Sequence, residues 1–498
     1  MKTFYKLLLF SLVIFTLPAL AQNGTRSIDY NAKTIGRAGV SIGYFDSPEL
    51  MMTNPAGISF LSSSMLDANL ALFVPSLHFQ NTLNNKDGKT NYYPLPDVAY
   101  VNKINSNWSW GIGFFTQGGM GADYNLYNSL YHNQSGNMIA QAYHSKFAVM
   151  EGGPSVAYKF TPSFSVGISA HVVYSMLEFQ MPYSLSPSVM NGVVNPQTGM
   201  TFGQMFSAPA AMGGFGYNEV TASADMSDLS ALSFTGKIGL AYKVNDQLSF
   251  GLSYTLPTSL TFKNGKATMD MTYQMNDAFG KAVQGYMAQN PNSSAQDAQL
   301  AVIQEFSQMG IDLSKGASDT YNLETKLKLP QSLGFGVSYS PVQPLRLGLD
   351  VEWLNWSNAF NQMSISLTNG QNPNIARMLG SNSLNVDFPL DWKNAVLIKV
   401  GGQYDISTTF TVRAGYAYGE NPVPSSTLFS IFPAIAVNHI MVGASYKIYG
   451  PVTVNAAYEI GLKKTCCSSN SSQIASEYDS SMSDLSANVY HLGLSWGL

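Results

Sequence analysis

The chain predicts an all-β fold, a fourteen-stranded antiparallel transmembrane β-barrel with a helical insertion in one external loop. Three observations predict it. Short runs alternate one apolar residue with one small or polar residue, the links between runs alternate short and long, and the composition is apolar without an apolar helix. Charged residues make up only 11% and hydrophobic ones 45%, with 28 Tyr and 27 Phe, whereas soluble domains carry about 25% charge.

The N-terminus comes first. Lys2 and Lys6 precede the apolar stretch Leu7 to Leu17, and Ala19-Leu20-Ala21 offers a small-x-small cleavage site. Residues 1–21 therefore read as a secretory signal peptide. No Cys follows that site, which argues against a lipid anchor. No later stretch reaches the roughly 18 consecutive apolar residues of a membrane helix. The net charge of −4 leaves no electrostatic footprint for nucleic acid. The two cysteines, Cys466 and Cys467, are adjacent, a spacing that disulfide geometry disfavours, and read as an incidental loop pair.

Residues 22–62 are non-repetitive, and the strands occupy 63–498. Strand runs fall near 64–79, 92–104, 108–118, 144–160, 163–182, 230–244, 247–268, 321–340, 344–357, 384–404, 409–420, 437–448, 451–463 and 487–498. The last run puts Tyr490, Leu492, Leu494, Trp496 and Leu498 on one face and His491, Gly493, Ser495 and Gly497 on the other. Short turns such as Ile104-Asn105-Ser106-Asn107 and Val244-Asn245-Asp246-Gln247 interleave with longer links near 80–91, 119–143, 183–229, 269–320, 358–383, 421–436 and 464–486. Such interleaving gives an up-and-down barrel with periplasmic turns and external loops.

Two long loops have character. Residues 183–229 carry Met200, Phe202, Met205, Phe206, Met212 and Phe215. Residues 274–309 read as two helices, with Phe279 and Phe306 among the apolar positions at helical spacing and Ser294 with Asp297 as a capping box. These side chains either pack on each other over the barrel mouth or form an adaptable apolar collecting surface, which Met suits.

Catalytic chemistry is not legible. His78, His132, His144, His171, His439 and His491 fall in no metal-ligand spacing and beside no nucleophile motif. The chain reads as a non-enzyme without cofactor or metal. Asp350, Glu352 and Arg346 alternate toward the lumen, with Arg413 and Glu459 similarly placed on other strands, either as ion-pair networks that line the barrel or as groups that act in substrate passage. Trp353 and Trp356 fit the membrane-boundary girdle. In the third run, Gly118, Gly119 and Gly121 break the alternation, either because the strand enters its loop or because the wall is locally broken.

A resemblance now joins these readings. Ala32-Lys33-Thr34-Ile35-Gly36-Arg37-Ala38-Gly39, Asp46-Ser47 and Asn54-Pro55-Ala56-Gly57 resemble the N-terminal hatch of the long-chain fatty acid transporter family of Gram-negative outer membranes, which includes aromatic-hydrocarbon channels. Leu329-Pro330-Gln331-Ser332-Leu333-Gly334, Trp392, Arg413-Ala414-Gly415-Tyr416 and Pro422-Val423-Pro424 before His439 extend it over the mature chain. The resemblance implies a monomer in the outer membrane, in contact with its lipids, that passes hydrophobic small molecules passively. It implies a plug, residues 22–62, gated around Asn54, Pro55, Ala56 and Gly57. Capture would fall to the loops near 183–229 and 269–320, with Met200, Phe202, Met205, Phe206, Phe279 and Phe306. Lateral exit would pass the third strand at Gly118, Gly119 and Gly121. Basic residues that meet a carboxylate on the fifth and tenth strands of fatty-acid members have no counterpart in Ser175-Met176-Leu177 or Pro389-Leu390-Asp391, although Lys393 is close. A structural or surface-interaction barrel is the alternative, favoured by a filled lumen, and a plug-free porin is a third reading.

Overall fold

The computed structural model describes residues 23–498, so the predicted signal peptide lies outside it. Fourteen staves form the wall. They are β1 (Met65–Gln80), β2 (Tyr93–Lys103), β3 (Trp108–His132), β4 (Met138–Lys159), β5 (Phe164–Leu185) and β6 (Val220–Lys243). Four interrupted staves follow: β7 (Leu248–Thr255 and Thr258–Asp270), β8 (Ser318–Leu329 and Ser332–Val342), β9 (Leu345–Leu354 and Gln362–Thr368) and β10 (Leu384–Pro389 and Ala395–Asp405). The wall ends with β11 (Phe410–Gly419), β12 (Asn438–Tyr449), β13 (Val452–Cys467) and β14 (Met482–Gly497). β14 pairs with β1 from Gly497↔Met65 to Met482↔Gln80, so the sheet closes. Closure satisfies the backbone polar groups that hydrocarbon cannot.

Period-two patterning sorts the two faces. On β14, Tyr490, Leu492, Leu494 and Trp496 are exposed on the outside, while His491 and Ser495 are buried inside. On β5, Ile168, Val172 and Tyr174 face out, and Ser165, Ser169, His171 and Ser175 face in.

Several boundaries differ from the sequence reading. The third run does not end at its glycines: β3 continues to His132, hydrogen-bonded to β4, with Ala122, Tyr124 and Leu126 buried on its inner face. The alternation resumes after a bulge, which the sequence pattern masks. The link near 421–436 is not an external loop. Leu428, Phe429, Ile431, Phe432, Ala434, Ile435 and Ala436 are buried, and Ser145 Oγ donates to the Ile431 carbonyl at 2.5 Å. This apolar segment turns into the lumen because only there can it leave water. Cys466 and Cys467 are free thiols that end β13 rather than lie in a loop. Trp353 is on the outer face, but Trp356 is fully buried, because β9 breaks at Asn355 and a helical turn, Trp356–Ala359, carries the indole inward. The interruptions of β7 and β8 fall at Pro257 and Pro330, which have no N–H for a ladder.

The helices Thr272–Gln289 and Ala295–Gln308 lie in the link between β7 and β8. The Ser294 hydroxyl accepts from Asp297 N at 3.1 Å and caps the second. No helix among the described residues is long and apolar enough to cross a membrane.

Candidate functional site

Residues 23–62 thread the lumen and touch inward-facing groups around much of the wall. The Asn31 side chain accepts from Thr34 N at 2.9 Å and starts the helical turn Ala32–Ile35. Asn54 does two jobs. Its Oδ1 caps the 3-10 turn Pro55–Phe60 by accepting from Ala56 N at 3.2 Å, and its Nδ2 donates to Ile42 O at 2.8 Å and Leu240 O at 3.0 Å. Pro55 occupies the first turn, where a missing N–H costs nothing. A glycine on the wall makes the seat: a Cβ on Gly239 would lie 2.1 Å from Asn54 Oδ1.

Lumen charges bind this segment. Asp350 Oδ2 accepts from Ser41 N at 2.7 Å and Ile42 N at 3.0 Å. Arg26 Nη1 meets Glu352 Oε1 at 2.5 Å. Within the segment, Arg37 grips Asp46 with two bonds of 2.7 and 3.1 Å, and Lys33 adds a contact at 3.2 Å. Against the opposing effect of burial, Arg37 and then Lys33 hold the Asp46 carboxyl below its usual range. Glu49 shows the opposite balance. Burial and then the nearby Asp67 push its carboxyl well above the ordinary value. Ser47 hydrogen-bonds both groups, reaching Asp67 Oδ2 at 2.9 Å, and Asn31 donates to Glu49 Oε2 at 2.6 Å.

Two lumen lysines are committed too. Lys399 lies on β10, a stave the sequence reading found without an inward cation at 389–391. Its ammonium donates to Ile28 O at 3.0 Å and Gly39 O at 3.3 Å. Lys237 on β6 pairs with Glu151 at 2.6 Å, which His171 also meets at 2.8 Å. Alternation along Ala395–Asp405 sets Lys399 on the buried face with Ala395 and Leu397, and that was the signal available to find it.

The wall is interrupted beside this segment. β2 and β3 pair only from Val98↔Phe114 to Lys103↔Ser109. Beyond that, Pro94 and Pro96 of β2 lack N–H donors, and Thr116 bonds side chain and carbonyl instead, through N to Asp97 Oδ1 at 2.7 Å and Oγ1 to Pro96 O at 3.0 Å. β3 bulges between Thr116 and Gly118. Into the gap comes the N-terminal segment: Ser27 N donates to Gln117 O at 3.1 Å, and Arg26 bridges Gly118. Gly118 has φ of 153°, and a Cβ there would sit 2.2 Å from Thr25 O. Gly119 and Gly121 follow on the same stave, and Gly121 backs onto the Tyr93 hydroxyl. An apolar cleft of about 20 Å³ lies here, between Gly24, Phe73, Met120, Gly121 and Pro433.

Toward the long-loop end the lumen is an aromatic chamber filled by its own packed rings. Phe360 stacks on Trp392 at 4.5 Å, Phe432 lies 6.1 Å from Trp392, and Phe429 joins Phe432 to Phe388 and Tyr478. Trp356 ties the chamber to the N-terminal segment, donating to Asn23 Oδ1 at 3.4 Å. The inward-turned 421–436 segment and Trp356 are the residues that sequence reasoning missed here. The expected capture residues are mostly enclosed. Phe202, Met205, Phe206 and Phe306 are buried, Phe279 packs edge-on against Phe306 at 5.9 Å, and only Met200 is exposed.

Solved structures share this architecture. The toluene transporter TodX of P. putida matches with a TM-score of 0.66 and 17% identity, over 95% of this chain and 99% of that one. A FadL homologue of Pseudomonas aeruginosa matches at 0.67 and 17%, over 95% and 99%. The Ralstonia pickettii toluene transporter TbuX matches at 0.64 and 16%, over 95% and 99%. At these identities the likeness concerns fold alone. No curated protein matches in sequence. Residues 19–497 match the family of outer membrane protein transport proteins (OMPP1/FadL/TodX), and the chain belongs to that outer-membrane family.

Proposed function

We propose that the protein is a passive outer-membrane uptake channel for uncharged hydrophobic small molecules, acting as a monomer without catalysis. The observation that carries the reading is the paired defect in the wall: the β2–β3 ladder stops at Phe114, and the segment Thr25–Ser27 lies across the gap through a single bridge to β3. An apolar solute enters past the loops near 183–229 and 269–320 and displaces rings in the aromatic chamber. Movement of residues 22–62, seated by Asn54, Pro55, Ala56 and Gly57, withdraws Thr25–Ser27 from Gly118. The solute then leaves sideways past Gly118, Gly119 and Gly121. Apolar solutes favour hydrocarbon over water along this whole route, so no energy source is required. The commitment of Lys399 and Lys237 to carbonyls and Glu151 supports a substrate without a carboxylate. Related solved structures include toluene transporters, which agrees with that class.

The closed chamber favours a second reading, a structural or surface-interaction barrel. The two readings separate on one preparation: solvent extraction of the purified protein and mass spectrometry of what co-purifies, against an unrelated barrel. Specific enrichment of a neutral apolar compound is the expected result. Repeated absence of enrichment from folded protein favours the structural barrel.

A further inference from the structure

The interruptions of β7, β8, β9 and β10 occur at one level. Thr255 and Leu354 both register with Ser332, and Leu354 registers with Ala395. Above that level the wall steps, and a cleft of about 490 Å³ opens. It faces out. Leu260 and Leu327 alternate inward into the apolar core, which leaves Ser259, Lys326 and Lys328 on the outer side.

The lining of the cleft is cationic and amide-rich, with one carboxylate behind it: Asp387 accepts from the lining Ser364 hydroxyl at 2.7 Å. Lys328 registers with Ser259 and Lys326 with Thr261, so both ammonium groups share a short stretch of wall. Asn358, Asn361 and Gln362 add amide donors, and no carboxylate is among the described residues that line it. Lys326 reaches Glu324 only at 3.8 Å, with most of its side chain exposed. Lys263 and Lys266, both exposed, stand on the adjacent stave. In a chain with only 26 Lys and Arg, four on two neighbouring staves is a local concentration.

The surface directly below is apolar. Leu333, Trp353 and Leu256 are exposed on the outer face of the same three staves, and Phe234 is 72% exposed on β6. A cationic, amide-lined ledge above a bare apolar wall matches a molecule with an anionic oxygen-rich head and hydrocarbon chains. We propose that this ledge is a binding site for a membrane lipid with a phosphomonoester headgroup. The phosphate lies against Lys326 and Lys328, its remaining oxygens accept from the Asn358, Asn361 and Gln362 amides, and the acyl chains run down over Leu333 and Trp353. Clustered basic residues at a membrane boundary select such heads, and charge-assisted hydrogen bonds to phosphate are the strong ones. The site lies on the outside of the wall and is separate from the solute route.

The test uses the mature full-length barrel in non-ionic detergent, with native mass spectrometry of bound lipid. The probes are diacyl phosphatidic acid, phosphatidylcholine of the same chains, and inorganic phosphate as competitor. The expected result is one retained phosphatidic acid, weakened about tenfold in Lys326→Gln/Lys328→Gln, with phosphatidylcholine not retained. Lys281→Gln, an exposed lysine on the helical loop, should bind as the parent does. Unchanged retention in the double variant, or equal retention of phosphatidylcholine, overturns the site. Displacement by millimolar inorganic phosphate would assign it to the free ion and overturn the lipid. The same shift in gel mobility on heating as the parent shows reports that the variants are folded, and release from the parent in high salt tests the same charge dependence without mutation.

Discussion

Arg26 meets Glu352 at 2.5 Å, one residue before Ser27 donates to the Gln117 carbonyl of β3. The N-terminal segment is thus fastened to β9 by a buried ion pair at the place where it closes the wall between β2 and β3. Both partners are largely shielded, with side chains 17% and 4% exposed. Arg26→Ala leaves the buried Glu352 carboxylate with only Lys399, at 4.0 Å, and should cost about 3 kcal/mol. Adding Glu352→Gln should recover part of that loss. Thermal unfolding of the three variants gives the coupling, and equal losses in the single and double variants would mean the pair does not fasten the segment.

Asn54 should matter more than its size suggests. Asn54→Ala removes a cap and two donations to carbonyls, about 1 kcal/mol for each bond. Gly239→Ala attacks the same seat from the wall side, because its new methyl overlaps Asn54 Oδ1. Both variants should fold and conduct ions in planar bilayers more often than the parent. Parental conductance in both would remove Asn54 from the gate.

The long-loop end should respond to pH. Burial pushes the Glu477 carboxyl from 4.5 up to about 7, despite donation from Tyr143 Oη at 2.6 Å and Asn128 Nδ2 at 2.9 Å. Below pH 4.5 the group is protonated whether packed or released, so burial carries no ionisation penalty. Between 4.5 and about 7 the released carboxyl ionises and the packed one does not, so packing weakens as pH rises and levels off above about 7. Hydrogen-exchange protection of Ser476–Tyr478 should fall over that window. In Glu477→Gln it should stay flat; a parental profile there would assign the effect to another group.

How much of this was legible follows from what alternation can carry. The faces of β5 and β14 were readable because one side meets lipid and the other does not. Interruptions were not. Pro257 and Pro330 are visible in the sequence, but their alignment across four staves depends on register, which local patterning does not encode. The apolar run at 428–436 reads as part of an external link because loop length, not composition, decides it. Asn54 was found through its motif, whereas its acceptor Leu240 lies far away in sequence. Arg26, Glu352 and Lys399 needed the closed wall before their pairing could be seen.

The aromatic chamber should open to ligand when thinned. Phe432→Ala removes a ring 6.1 Å from Trp392 and 6.3 Å from Phe360. It should cost about 3–5 kcal/mol of stability and raise affinity for an apolar fluorescent probe added to the detergent-solubilised protein. Lower stability without a gain in probe binding would mean that the rings collapse and do not line a solute site.

The most direct test of the account is a reversible lock on the N-terminal segment. A Cβ on Gly493 would lie 3.7 Å from Ala32 Cβ, within disulfide reach. The pair Ala32→Cys/Gly493→Cys, with Cys466 and Cys467 replaced by Ser, ties the segment to β14 without altering Gly118. The measurement is entry of a neutral aromatic hydrocarbon into cells carrying the variant, oxidised and then reduced. Movement of the segment predicts slow entry when oxidised and parental entry after reduction. Equal rates in both states, with the disulfide verified, would contradict a moving plug.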